Sequence, residues 1–460
     1  MLSEILASFQ PRNQPWMVRS NYAHELVTAS TFSIAVAMVE SGVIGVLAKK
    51  TFHVSELELA TIMAAPMFAN LTSFIWAMLA RGKHKVPFLT MLQVSVLLFL
   101  GVISILPTVG YGPALLVAVV ILIRCALAGA VTLRSTVWRM NYPKRKRAQI
   151  TSRFTLVASL IIALGPLVGF VIQDISPNSF RILYRVAALI GLIGVIAFSR
   201  IRVRKEKQLL QFERQPTART KPHGTPDPIE EFESDQRHSV WTVLRKDHDY
   251  RWYLIWQFFG GMANLIGNFA LIRLVIELTD GMDYEYGISI LITTTIPLLF
   301  AMFTISVWAR YLDRVHVARF RTRQGLFWII SQLGNWGAAI SGLVGLFAIP
   351  RMIDGVSRGG GMLAWNLGHN DFANRHMVPL YMGIHVTLTG VRGLFAPYLA
   401  MIMLYGWKPD AVPGLTLPPF AGIGPHVFLL TTALAMVAEA GFIRLSRDIK
   451  RKQANTSKGE

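Results

Sequence analysis

RMIDGVSRGGGMLAWN, residues 351–366, sets Arg351, Asp354 and Arg358 inside a stretch that otherwise reads as a membrane-spanning helix. Its placement decides how the surrounding chain divides, because residues 320–367 must hold two spans and the turn between them. A helix beginning at Met352 would have about 14 residues before the polar NLGHND, short of the roughly 20 that a bilayer needs. A turn at Ser341-Gly342 gives both spans adequate length. It also carries Arg351 into the membrane.

The composition calls for that membrane. Of 460 residues, 53% are hydrophobic and 16% charged, and the mean hydropathy is +0.44. Soluble chains carry about 25% charged residues. Apolar runs bounded by Gly, Pro and charge predict twelve helices, at 24–48, 57–80, 86–106, 113–138, 154–173, 181–199, 252–278, 287–309, 320–341, 343–367, 378–403 and 422–443. These are spans one to twelve. The expected fold class is an all-α membrane protein whose twelve transmembrane helices form two pseudo-symmetric six-helix bundles.

The net charge of +20 follows the membrane topology. Lys and Arg gather in RGKHK (81–85), YPKRKRAQITSR (142–153), the segment 200–251, RYLDRVHVARFRTR (310–323) and IKRKQ (449–453). The opposite loops hold little beyond Lys49, Lys50, Arg181, Arg185, Arg273 and Lys408. This positive-inside asymmetry puts both termini and the linker on the cytoplasmic side, with a bacterial inner membrane as the expected location. A nucleic-acid binder would instead cluster its cations on one folded face among stacking aromatics, so no nucleic-acid partner is expected. The single cysteine, Cys125, falls within span four and offers no disulfide framework. The N-terminal MLSEILASFQPRNQPW lacks the basic region, apolar core and small-residue site of a cleaved signal, and reads as a retained cytoplasmic segment. No HExxH, phosphate loop or paired Cys/His set is present. Neither an enzyme nor a cofactor or metal site is expected.

The segment QPTARTKPHGTPDPIEEFESD is rich in charge and Pro and has no apolar period, which predicts a solvated linker over 201–249. The expected organisation is an N-terminal segment (1–23), a first bundle (24–200), the linker, a second bundle (250–446) and a tail (447–460). The two bundles share an ordered series of features. Tyr22 and Tyr250 precede the first span of each, and Pro66 and Pro297 interrupt the second. Arg124 and Arg351 each stand 14 residues before a tryptophan, Trp138 and Trp365, and Pro166 matches Pro397. Their common order argues for an internal repeat.

Twelve spans as six plus six, with a charged central linker and basic loops, resemble the major facilitator superfamily over residues 20–446. ARYLDRVHVAR (309–319) resembles the family's loop motif after span eight, which implies that Asp313 and Arg314 gate the cytoplasmic side. The corresponding loop AMLARGKHK (77–85) keeps the basic residues and lacks the Asp. LIRCALAG (122–129) and IIALGPLVGF (161–170) are similar to the span-four and span-five motifs of proton-coupled drug antiporters. The resemblance also implies alternating access and a functional monomer.

Ionised side chains at mid-membrane cost about 2.5–3.5 kcal/mol on insertion scales, so the intramembrane charges are candidate site residues. At 100° per residue, Arg351, Asp354, Arg358, Trp365 and His369 share one face of span ten. Tyr381, His385, Thr389 and Arg392 share one face of span eleven, and Gln257, Gly261, Asn264 and Asn268 one face of span seven. A common cavity and interhelical hydrogen bonding both account for the amide stripe of span seven. Counting 1.5 Å per residue places Glu40 at the depth of Arg124, and Asp354 at that of Arg392. Those two pairings would leave an excess of arginine. The surplus would attract an anion, or else snorkel or bind backbone carbonyls at broken helices.

The expected substrate-binding residues are therefore Arg124, Arg351, Arg358, Arg392, Asn264, Asn268, Gln257, Trp365 and Tyr381. The expected proton-coupling residues are Glu40, Asp354 and His385. Glu439 is expected at the cytoplasmic interface near Arg444. The function expected is secondary active transport of a small organic or phosphorylated anion, coupled to protons. Efflux of lipophilic or cationic compounds by proton antiport is the alternative, and it would require an unpaired acid in the cavity. A third reading, from another class, is a transporter-like sensor or assembly protein whose linker binds a partner.

Overall fold

The computed structural model describes residues 9–176, 178–214, 240–373, 378–407 and 418–459. Lys408 and the middle of the predicted linker, 215–239, lie outside the described residues. Nine helices among the described residues are long and apolar enough to cross a membrane. Glu56–Leu79, Val317–Ser341 and Ala348–Leu367 complete the twelve spans of a multi-pass membrane protein. Span ten, Ala348–Leu367, is the one that carries Arg351, Asp354 and Arg358.

Local chemistry marks several ends. Span two opens on a capping box in which the Ser55 hydroxyl accepts from the Glu58 amide and the Glu58 carboxylate accepts from the Ser55 amide. Span seven, His248–Leu278, is capped by Asp247, whose carboxylate accepts from the Tyr250 amide at 2.9 Å. Span nine ends on Gly342 at φ +68°, the left-handed position where glycine carries no steric penalty. The turn read at Ser341-Gly342 is therefore present, and a short 3-10 turn, Val344–Phe347, leads into span ten.

The chain forms two compact units. In the first, span one packs on spans five and six, span four on two and three, and span three on six. In the second, span seven packs on eleven and twelve, span ten on eight and nine, and span nine on twelve. Adding six to each number of the first set reproduces the second, which is the packing expected of an internal repeat.

Two spans are broken where the sequence predicts continuous helices. Span one is Arg19–Ala37 followed by Ser41–Lys50, and Glu40 stands at the N-cap of the second piece with extended backbone. Span eight is Glu285–Ile290, a π-turn Leu291–Thr295, and Ile296–Leu312. Its first piece and π-turn group with the first unit, and the remainder with the second. A helix broken inside hydrocarbon exposes carbonyls that protein groups must satisfy. In span one the Tyr184 hydroxyl donates to the Met38 carbonyl at 2.8 Å, and the Arg124 guanidinium donates to that of Val39.

Both ends of the predicted linker form helices with a buried residue, which corrects the reading of 201–249 as solvated throughout. Glu206–Arg214 is a helix with Leu210 buried, and Val240–Lys246 is another with Val243 buried. The first lies on the loop between spans two and three. Glu213 Oε2 accepts from the Gly82 amide at 2.7 Å and from Lys85 Nζ at 2.6 Å, and Arg214 Nε donates to the Gly82 carbonyl at 3.1 Å. Lys85 is almost wholly buried, so the pair is poorly screened. This loop is the one that lacks an acid of its own, and the linker helix brings a carboxylate to it. Glu213→Ala should therefore release the helix. Hydrogen exchange over 206–214 and 80–88 should quicken about tenfold or more, for a loss of about 1.5–3 kcal/mol.

Candidate functional site

The second unit carries a half-open cavity of about 470 Å³ lined by spans seven, nine, ten, eleven and twelve, with Leu298 of span eight. Its polar lining reaches well beyond the three stripes read from sequence. Span seven contributes Gln257 and Asn264, span ten Ser357, Arg358 and Trp365, and span eleven Arg392. Span nine adds Arg321, Gln324 and Trp328, and span twelve adds Glu439.

Span ten holds its own charges in a chain. Asp354 is buried and its Oδ2 meets Arg351 Nη1 at 2.9 Å and Arg358 Nε at 2.7 Å. The spacings of three and four residues put all three on one helix face. Arg351 lies beneath this carboxylate and is buried. Arg358 is about one-third exposed, reaches the cavity and donates from Nη2 to Asn268 Oδ1 at 3.2 Å. The expected Asp354–Arg392 pair does not form, because both cations that Asp354 meets come from its own helix.

Arg392 instead crosses to span seven, where Nη1 donates to the Gln257 carbonyl at 2.6 Å. Its guanidinium occupies the space beside Gly261, where a methyl group would collide with it. Arg321 donates from Nη1 to Gln324 Oε1 at 3.1 Å, and Gln324 Nε2 donates to the Ser357 hydroxyl at 2.7 Å. Arg321 and Arg392 are 7% and 6% exposed, and among the described residues neither meets a carboxylate. Buried donors remain without acceptors on both, at Nε and Nη2 of Arg321 and Nε of Arg392.

Glu439 corrects the expectation that it reaches the interface near Arg444. It is 7% exposed, lines the cavity and fills the space beside Gly325, one turn after Arg321. No described cation lies within ion-pair distance of it. The cavity thus holds Arg321, Arg358 and Arg392 against Glu439, with Arg351 and Asp354 cancelling beneath.

The remaining expected residues lie outside this lining. Tyr381 points toward the basic end of the bundle and donates to Asp247 Oδ2 at 2.8 Å, while its carbonyl accepts from Tyr250 at 2.6 Å. Its place on span eleven is as expected, but Asp247 reaches it first. His385 is buried against Trp365, with ring centroids 5.7 Å apart, and its Nε2 has no partner among the described residues. Arg124 lies in the first unit at the break of span one, where it serves a backbone carbonyl. The expected Glu40–Arg124 contact is only partly present: Glu40, at the N-cap after the break, lies near enough to attract the guanidinium but outside ion-pair distance of it.

The first unit has its own buried charge pair, for which the sequence gives no sign. Glu25 of span one accepts from Arg134 Nη2 at 2.5 Å and Nε at 3.1 Å, and from Trp138 Nε1 at 3.0 Å. Arg134 also lies over the Trp138 ring at 5.1 Å. A span one that begins at residue 24 places Glu25 at a helix end, where an acid carries no signal.

Asp313 and Arg314 are exposed in the turn after span eight and form no ion pair among the described residues. The start of span nine is held by other groups. Asp371 Oδ2 accepts from the Val317 amide at 2.6 Å, and His316 Nδ1 accepts from the Ala318 amide at 3.2 Å. Burial pulls the His316 pKa below its ordinary 6.5, against the opposing pull of Asp371 and Asp249.

Two six-helix bundles related by an internal repeat, the second bearing a charged cavity, have the architecture of a membrane carrier. The profile of the Major Facilitator Superfamily matches residues 27–397, and the chain belongs to that family. Solved structures share the fold at low identity. A D-xylose-proton symporter aligns at TM-score 0.65 and 12% identity, covering 93% of this chain and 97% of that one. The nucleoside transporter NupG aligns at 0.61 and 12%, covering 92% and 99%. A POT family transporter in complex with 5-aminolevulinic acid aligns at 0.64 and 12%, covering 93% and 96%. Among curated proteins none matches.

Removing Asp354 leaves two cations buried or half-buried without their acid. Asp354→Asn should lower stability by about 3–5 kcal/mol, read as a fall in the melting temperature of the purified protein. For His316 the unfolded chain takes up its proton first as pH falls. Its contribution is complete above about pH 6.5 and is lost as pH drops below that value. His316→Asn should flatten the acid limb of the stability profile between about pH 7 and about pH 5.

Proposed function

We propose that the protein is a secondary active transporter of a small organic or phosphorylated anion, working by alternating access and coupled to protons. One observation carries this reading: Arg321 and Arg392 are buried in the cavity wall with unmet donors and no described carboxylate partner. A guanidinium held this way is costly until an acceptor arrives, and its fork geometry suits carboxylate and phosphate. Arg358, Gln257 and Asn264 line the same cavity and would orient the anion, with Trp365 as an apolar wall. Glu439 joins Glu40, Asp354 and His385 as a candidate for proton coupling, and it is the one among them that lines the cavity. The distribution of Lys and Arg supports cytoplasmic termini in a bacterial inner membrane, and the protein acts as a monomer.

Glu439 also favours a second reading, because an acid without a cationic partner is what a cationic efflux substrate would need. The two readings separate in a thermal-shift panel of anionic, neutral and cationic metabolites on the purified wild type, Arg392→Ala and Glu439→Gln. A ligand at about 100 times its dissociation constant adds about 2.7 kcal/mol to the native state. Stabilisation by one anion class, lost in Arg392→Ala, is the expected result. Stabilisation by lipophilic cations, lost in Glu439→Gln and kept in Arg392→Ala, would replace the anion reading with efflux.

A further inference from the structure

A second cavity, of about 680 Å³, opens on the side of the second unit between spans seven and eleven. The short helix Val240–Lys246 closes one end of it. Leu254, Phe258, Ile384 and Leu388 give it an apolar floor, and Arg245 and Arg251 stand at the end beside the short helix. We propose that this groove binds one anionic phospholipid, with an acyl chain along the floor and the phosphate between Arg245 and Arg251.

Three features of the groove select this occupant. The first is amphipathic layout. Val243 is buried while Trp241 is 79% exposed, so the short helix turns one side to the protein and an aromatic outward at the point where span seven begins. Tryptophan and arginine in that arrangement mark the headgroup level of a bilayer. The second is charge. Arg251 Nη1 donates to the Leu244 carbonyl at 3.3 Å, which holds the side chain against the short helix and leaves its other donors to a ligand.

The third is the state of the nearby acids. Asp247 is engaged by the Tyr250 amide and the Tyr381 hydroxyl, and Asp249 accepts from Lys452 Nζ at 2.7 and 2.8 Å. Among the described residues no carboxylate pairs with Arg245 or Arg251. Two cations at one end of an apolar groove match a phosphodiester attached to a hydrocarbon tail. A free phosphate would leave the floor unused, and a zwitterionic lipid would gain less from the pair. The proposal is independent of the transported substrate.

The test uses the full chain, delipidated in detergent and returned to phosphatidylglycerol, phosphatidylcholine or inorganic phosphate. Lipid retention is read by native mass spectrometry and stability by thermal shift. Phosphatidylglycerol should be retained in preference to phosphatidylcholine. The double variant Arg245→Ala/Arg251→Ala should weaken that retention by about tenfold or more. Leu388→Trp fills the floor and should weaken it as well while eluting as the wild type does, which separates lost binding from lost folding. Equal retention of the two lipids would overturn the proposal. So would a thermal shift by inorganic phosphate matching that of the lipid, or retention unchanged in both variants. The acidic run PDPIEEFESD (226–235) precedes the short helix. If phosphatidylglycerol binds only after deletion of 215–239, the chain's own acids are the occupant and the lipid is not.

Discussion

Asp354 sits between two guanidiniums where water does not reach, and the polar interior of the second bundle is arranged around that contact. An unpaired carboxylate or guanidinium at this depth would cost several kcal/mol. Placing all three partners at spacings of three and four on one helix satisfies them before any other span is packed. The consequence falls on the neighbours. Because Asp354 is committed to Arg351 and Arg358, it is not available to Arg321 or Arg392. Both find only partial satisfaction, one on a glutamine side chain and the other on a backbone carbonyl. The positive character of the cavity is thus a result of where this buried aspartate makes its bonds.

The same constraint shapes the first bundle with different groups. Span one breaks at Met38–Glu40, and the carbonyls released there are taken by Tyr184 and Arg124. Glu25 is held by Arg134 and Trp138 nearer the start of the same span. Arg124 and Arg351 occupy equivalent places in the internal repeat, yet one serves a backbone break and the other an ion pair. The repeat preserves which helices touch, and leaves open what a buried arginine is used for.

Glycine decides how close the charged groups come to the helices opposite. Arg392 rests against Gly261 and Glu439 against Gly325, each in space that a methyl group would fill. Both contacts bring a charged group onto the wall of the cavity instead of into its centre. Outside the membrane the linker helix does comparable work. Glu213 supplies the loop between spans two and three with the carboxylate that the loop's own sequence lacks.

Much of this is legible in the chain itself. Span number, the turn at Gly342, the order of the repeat and the polar faces of spans seven, ten and eleven follow from apolar run length and helical spacing. The cavity residues on spans nine and twelve are not legible. Arg321 belongs to a run of cations that reads as a topology signal, and Glu439 stands near the predicted end of a helix that continues to Gly459. The break in span one is equally hidden, since nothing in VESG distinguishes an N-cap inside a span from a polar interruption. Which acid meets which arginine cannot come from depth along a helix, because two groups at one depth can face opposite ways. Spans, their ends and their polar faces can be read along the chain because each depends on residues within a few turns of one another. The pairings cannot, because a buried charge is satisfied by whatever neighbour the packing of distant spans brings within hydrogen-bond reach.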